Sequence, residues 1–325
     1  MRRYLVTGGT GFLGSALTQR LVAAGHAVRV LDNNSRGTAR RLADCVDQVE
    51  VIAADVRNVE AVSRAAKGTD CIVHMAAING TEFFYTKPEQ VLDVAVRGML
   101  AVVDACRANH IGDLVVASSS EVYQTPPVVP TPETVPLVVP DLMNPRYSYG
   151  GGKLISELIA VNYGRSAFDR VVIFRPHNVY GPDMGSEHVI PQFAMRAAAA
   201  TQGRKGRTID FPIQGDGLQT RTFVHVEDFT DGLMRVIEHG RHLTVYHIGS
   251  DEEVTIGDLA RQIVAMFGCT TMLRPSAAPL GATERRCPDI SRLRGLGYAP
   301  RIALAQGLPG VVSWYAEHAK VPPAA

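Results

Sequence analysis

Tyr149 and Lys153, in the run Tyr147-Ser-Tyr149-Gly-Gly-Gly-Lys153, are the two residues whose types and spacing point first to chemistry. Four residues apart, they share one face of a helix, so both side chains can act on one substrate. A phenol with a pKa near ~10 is a poor base at neutral pH, and an adjacent ammonium stabilises its phenolate. Taking the proton from a sugar alcohol during its oxidation is such a task. Spacing alone does not assign that task, because a solvated helix face carries the same pair. The elements that must position the pair decide.

Residues 4 to 7 form a short apolar run, followed by Gly8-Gly9-Thr10-Gly11-Phe12-Leu13-Gly14 and a helical pattern with Leu17, Leu21 and Val22 on one face. A second apolar run, Ala27 to Leu31, ends in Asp32 and completes a βαβ unit. Glycines at 8, 11 and 14 let the backbone approach a pyrophosphate, whose charge then sits at a helix N-terminus. Asp32 is placed to accept bonds from the ribose hydroxyls and to repel the extra phosphate of NADP, which favours NAD. Arg36 leaves an alternative open: it either accommodates that phosphate or is an ordinary solvated loop residue.

The alternation continues with strands over 49–54, ending in Asp55-Val56, over 71–75, ending in Ala76-Ala77, and over 114–117, leading into Ser118-Ser119-Ser120-Glu121-Val122-Tyr123. Residues 88 to 108 have helical spacing. The pattern predicts an α/β fold, a doubly wound parallel sheet of Rossmann type with ligands beyond the carboxyl ends of its strands. Residues 125 to 145, with seven prolines, form a loop into the helix of Tyr149 and Lys153. Three glycines between that pair each cost a helix interior about 1 kcal/mol relative to alanine, so packing or a ligand must offset them. Further on come a strand over 171–174, a helix near 189–201, a polar connector over 202–207, the strand-like Tyr246 to Gly249, another helix and a Pro/Gly-rich tail.

Thirty-three basic and 32 acidic residues nearly cancel and are interspersed, which argues against nucleic acid or an anionic membrane surface as partner. With 46% hydrophobic residues the chain can bury a full core. Five cysteines without a CxxC pair suit reduced thiols, and no metal-ligand cluster stands out. The N-terminal apolar run is too short for a signal peptide and nothing approaches a membrane span, so a cytoplasmic location is expected.

Taken together, these motifs resemble the extended short-chain dehydrogenase/reductases that modify nucleotide sugars. The resemblance covers nearly the whole chain, including His74-Met75-Ala76-Ala77, Arg175-Pro176-His177-Asn178-Val179-Tyr180-Gly181-Pro182, Gly215 to Asp228 and Arg286-Cys287-Pro288-Asp289. It implies an NAD-binding domain over 1–170, to which about 223–248 returns, and a nucleotide-sugar domain over 171–222 and 249–325. It extends the cofactor set to Phe12, Leu13, Asn33, Asp55, Val56, Met75, Ala76 and Ala77, along with Tyr149 and Lys153. It places Ser120, His177, Asn178, His188, Arg221 and Arg286 against the substrate, with Asn178 and the two arginines on its diphosphate. A homodimer joined through helices around 88–108 and 148–164 is also implied.

The mechanism implied has Tyr149 take the proton of the sugar C4 hydroxyl, Ser119 hydrogen-bond that hydroxyl, and Lys153 lower the tyrosine pKa. A 4-keto sugar results. Glu121 either removes the acidified C5 proton or only bonds a sugar hydroxyl. Dehydratases of the family pair Asp with Glu at this point, whereas Ser120 stands here; Ser-Glu before Val-Tyr resembles UDP-glucuronate decarboxylases, and the stretch from Arg175 onward resembles GDP-mannose 3,5-epimerases. Ala95 replaces an Asn common in relatives. The first expectation is an epimerase acting through a 4-keto intermediate; decarboxylase, dehydratase and a noncatalytic NAD-binding sensor are the alternatives.

Overall fold

The computed structural model describes residues 1–278 and 283–318, so the end of the Pro/Gly-rich tail lies outside the described residues. Its centre is a seven-stranded sheet. In chain order the first six strands are β1 (Arg3–Thr7), β2 (Ala27–Asp32), β3 (Val49–Ala53), β4 (Cys71–His74), β5 (Asp113–Ala117) and β6 (Arg170–Pro176), and Thr244–Ile248 is the seventh. Across the sheet they run 244–248, β6, β5, β4, β1, β2, β3, all parallel. The reversal of order between β1 and β4 is where a doubly wound sheet opens its ligand crevice.

Burial on both faces explains why these strands read as apolar runs instead of alternating patterns. On one face α1 (Phe12–Ala23) packs Leu17 and Leu21 beside Val6 and Val30, with Phe229 and Leu233 from the 226–239 helix. On the other, α2 (Val59–Ala66), α4 (Pro88–Ala108) and α5 (Ser148–Ala167) contribute Val62, Val91, Met99 and Ala160 over Leu5, Ile72 and Val116. Between α2 and α4, a short helix, α3 (Thr81–Thr86), begins after Gly80, an element absent from the expected alternation of strands and helices.

A third cluster belongs to the later elements: Ile190 and Phe193 of α6 (Val189–Thr201), Phe211, Phe223, Leu259 and Leu308. It covers a pair of parallel strands, Thr208–Gln214 and Thr270–Ser276. Beside them a three-stranded sheet joins Thr220–Thr222 to Glu253–Thr255 and Arg285–Arg286, setting Arg286 in register with Arg221. Residues 171–176, expected in this half, belong instead to β6 of the main sheet, between β5 and the 244–248 strand.

The glycines of α5 are explained by packing. A Cβ at Gly150 would lie 2.7 Å from the Glu121 carbonyl oxygen, and one at Gly152 would lie 2.9 Å from the Ala95 Cβ on α4. Close approach of α4 and of the turn after β5 therefore requires these positions to lack side chains. At the Ala95 position the Ser156 hydroxyl donates to the Ala95 carbonyl at 3.1 Å, a polar tie between the two helices. All five cysteines are free and buried. No described helix is long and apolar enough to cross a membrane, and the described residues hold no group of three or more potential metal ligands.

Candidate active site

One cavity of about 650 Å³ lies along the carboxyl ends of the central strands. It brings together Gly8, Gly11, Phe12, Leu13, Gly14, Asp32, Asn33, Asp55, Val56, Met75, Ala76, Ala77, Ser119, Ser120, Glu121, Tyr149, Lys153, Asn178, His188 and Arg286. Two expected residues do not reach its wall. His177 is buried, with its ring against His247 at 4.7 Å and neither ring nitrogen hydrogen-bonded. Arg221 lies behind Arg286, donating to the carbonyls of Thr220 and Thr283 at 2.7 Å each.

The glycine turn is shaped for a dinucleotide. Gly8 has φ +76°, and a Cβ there would lie 2.7 Å from the Ala76 nitrogen. A Cβ on Gly14 would collide with the Gly8 carbonyl oxygen. Gly11 caps α1 without a side chain, leaving the first N–H groups of the helix no side-chain partner at the cavity. Such a helix end suits a pyrophosphate. Asp32 is anchored, accepting from Thr10 N at 3.0 Å and Asn34 N at 2.8 Å, and each oxygen keeps a lone pair for a ribose hydroxyl. Asn33 donates to Asp55 at 3.2 Å. Asp55 is held mainly by Arg57, which keeps its carboxyl down at about 2. Ser118 also lines the cavity, and its buried hydroxyl has no hydrogen-bond partner. These features fit NAD.

Arg36 is not free for a second phosphate. Its guanidinium meets Glu187 at 3.3 Å and lies 4.6 Å over the Phe83 ring.

Around the reacting centre, the Ser119 side chain accepts from Glu121 N at 3.2 Å and so caps the 3-10 turn Ser120–Tyr123 while lining the cavity. Tyr149 stacks on Phe84 of α3, with ring centroids 5.0 Å apart and planes 12° from parallel. Burial pushes the Tyr149 phenol up to about 12, against the downward pull of the Ser119 hydroxyl. That differs from the expected lowering by Lys153. The reason is the lysine's own position: it is 4% exposed, donates to the Ala117 carbonyl at 2.7 Å, and is itself brought down to about 8 by burial. Glu157, one turn further along α5, opposes that fall. Its carboxylate is gripped by Arg175 of β6 at 2.8 and 2.5 Å, and Arg175 also meets the Tyr123 hydroxyl. Tyr123 in turn pairs with His247 at 2.6 Å.

On the substrate side, Arg286 Nη1 donates to Glu121 Oε1 at 2.6 Å. Burial pushes the Glu121 carboxyl up, but Arg286, with Arg146 and Arg221 behind it, outweighs this and holds it below its ordinary value. Burial brings Arg221 down to about 10, with Arg286 adding to the effect. Asn178 sits at φ +41°, a conformation Asn tolerates better than most residues, and donates to the Thr222 carbonyl at 2.9 Å. His188 is the N-cap residue of α6, and burial lowers its pKa.

Residues 4–249 match the family model for the NAD dependent epimerase/dehydratase family. The chain belongs to that family. As a family member it is an NAD-dependent enzyme, and its cofactor is NAD. It is 30% identical over 98% of both chains to a dTDP-4-dehydro-6-deoxy-D-allose reductase of Streptomyces bikiniensis. To a UDP-glucose 4-epimerase of Mycolicibacterium smegmatis it is 31% identical, over 96% of this chain and 98% of that one. Among solved structures it is similar to a double mutant of dTDP-glucose 4,6-dehydratase from Streptomyces venezuelae with NAD bound, at 30% identity and TM-score 0.85 over 98% of each chain. Three reactions at nearly equal identity leave the outcome within this epimerase/dehydratase to be argued from its own residues.

Glu157 was within reach of sequence reasoning, since it continues the four-residue spacing Tyr149, Lys153, Glu157. Phe84 stood beyond a Gly80 helix start that the periodicity of one short turn does not reveal. The partners of Arg36 and Arg41, 151 and 142 residues away, leave no local signal.

Proposed function

We propose that this enzyme is a nucleotide-sugar epimerase acting at C4 through a transient 4-keto intermediate. The observation that carries the proposal is the ion pair of Glu121 with Arg286. A carboxylate held below its ordinary pKa is a weak base for a carbon-bound proton. Ser120 cannot supply the acid that dehydration needs. What remains beside Glu121 is the oxidation machinery of Ser119, Tyr149 and Lys153.

The glycine turn and Asp32 would hold NAD, which would supply a reversible hydride acceptor for C4. Tyr149 holds the C4 hydroxyl proton, and Ser119, beside it, orients that hydroxyl. Lys153 keeps a positive charge beneath the site. Phe84 fixes the phenol ring and excludes water from it. Asn178 and Arg286 bind the substrate diphosphate, with Arg221 supporting Arg286 from behind through their shared strand register. Tyr149→Phe tests the assignment: the variant is expected to retain NAD and its fold while turnover drops by at least about 10³-fold, taking the phenol as the general base. Unchanged turnover would refute it.

A second reading is favoured by one fact: Glu121 keeps 24% side-chain exposure inside the cavity. If the diphosphate draws Arg286 away, Glu121 is released as a base for C5, the route toward decarboxylation or dehydration products. Exchange of the C5 proton with solvent separates the two readings.

We also propose a homodimer. Leu92 and Leu100 of α4 and Ile155, Leu158 and Tyr163 of α5 are large apolar side chains left exposed on the two packed helices. A second copy of the chain would cover them.

A further inference from the structure

Two loops from distant parts of the chain face each other across the cofactor end of the cavity. Arg36 and Arg41 follow β2 on one wall, and Gly185 and Glu187 precede α6 on the other. They are bonded together. Arg41 donates to the Asp183 carboxylate from Nε at 3.0 Å and from Nη2 at 3.2 Å, and to the Asp183 carbonyl at 2.7 Å. The same guanidinium reaches the Thr10 carbonyl of the glycine turn at 3.3 Å. Arg36 adds its 3.3 Å bond to Glu187. From the far side Tyr315 clamps the loop, accepting from Met184 N at 2.9 Å and donating to the Gly185 carbonyl at 2.7 Å.

These contacts differ in weight. Exposed ion pairs contribute little, whereas a forked guanidinium on a carboxylate, shielded from water, contributes more. Arg41 is 14% exposed and Asp183 29%, so their pair is the strong member. Arg40, 74% exposed and 3.4 Å from Asp183, adds little. Arg36 and Glu187 are intermediate.

We infer that Arg41 and Asp183, assisted by Arg36 and Glu187, are positioning residues that strap the 183–188 loop across the bound cofactor and retain it through the catalytic cycle. The inference rests on the epimerase reading, because an enzyme that takes hydride from a substrate and hands it back must not lose its cofactor midway. A reductase, by contrast, must release its cofactor after every turnover. The strap therefore suits internal redox and hinders cofactor exchange.

Cofactor retention is measured on the holoenzyme. Protein loaded with radiolabelled NAD is chased with excess unlabelled NAD, and retained label is followed by rapid filtration. The double variant Asp183→Asn with Glu187→Gln keeps the side-chain shapes, and Asn accepts the φ of +56° found at 183. It is expected to lose label about tenfold faster than the wild type, the effect of removing one strong charge-assisted contact. Wild-type loss is expected to accelerate severalfold on raising salt to about 1 M, with the double variant insensitive. Equal rates for both proteins, or a wild-type rate indifferent to salt, would overturn the inference. Should the variant fold poorly, the wild-type salt series alone decides. Turnover gives a separate readout: the variant's rate should decay faster than the wild type's and recover on adding NAD. A chain that retains label but epimerises no nucleotide sugar would refute the epimerase reading and leave the strap standing.

Discussion

Arg286 and Glu121 close on each other at 2.6 Å across 165 residues of chain, joining the strand Arg285–Arg286 to the turn after β5 that lines the cavity with Tyr149. Each is thereby taken out of the role it would play alone. The acid is a weakened base, and the arginine is held at the cavity wall, where the proposed reading needs it for the diphosphate. C4 chemistry needs no more than this from either.

Glu121→Gln separates a structural acid from a catalytic one. With the amide in place, kcat is expected to stay within about tenfold of wild type, whereas loss of a true general base costs about 10² to 10⁴. KM should fall or hold, since Arg286 no longer gives up a carboxylate to bind phosphate. Steady-state kinetics on the nucleotide sugar distinguish the outcomes, and a hundredfold loss of kcat would assign Glu121 to proton transfer.

Lys153 is expected to reduce stability while serving catalysis. Its ammonium titrates at about 8 in the fold against 10.5 outside it. Between those values the unfolded chain holds a proton that the folded chain lacks, so stability rises with pH across that window. At pH 7 the full penalty of about 3 kcal/mol remains. Lys153→Met removes it and sacrifices the bond to Ala117, worth about 1 kcal/mol. The variant should therefore melt higher than wild type in the cofactor-free state while losing activity. Calorimetry showing a lower Tm would contradict this.

Three buried histidines set the acid limit. Burial holds His74 and His247 at about 3, and His177 also lies well below its ordinary value. As pH falls through 6.5 the unfolded chain takes up protons that the folded chain refuses, so stability declines. By pH 5 each of the first two removes about 2 kcal/mol. Asp55 acts in the same direction, but only below 3.8. Urea midpoints should drop clearly between pH 7 and pH 5, and equal midpoints would refute the assignment.

The exposed apolar side chains of α4 and α5 predict an effect on assembly. Leu158, 55% exposed, belongs to none of the three core clusters. Leu158→Glu should leave the fold and NAD binding intact and convert a dimer to monomer by light scattering. A wild-type protein that is monomeric at micromolar concentration would exclude the proposed interface.

Much of the fold was legible because parallel strands buried on both faces leave unbroken apolar runs, as in Cys71–His74, and the glycine turn marks its own strand and helix. The Tyr149 and Lys153 spacing was legible for the same reason: a helix repeats over a few residues. What escaped depends on distant partners. The register that sets Arg286 beside Arg221, the burial that raises the Tyr149 phenol, and the seclusion of His177 behind His247 all arise where separate elements meet. The strand 208–214 alternates buried and exposed residues, yet its parallel partner lies 62 residues on.

The central claim is inversion at C4 without chemistry at C5. Incubating the holoenzyme with UDP-, GDP- and dTDP-sugars in deuterated water and reading the products by NMR tests it directly. The expected result is a C4 epimer of one of them, free of solvent deuterium at C5. Deuterium incorporated at C5, or carbon dioxide released from a glucuronate, would contradict the account.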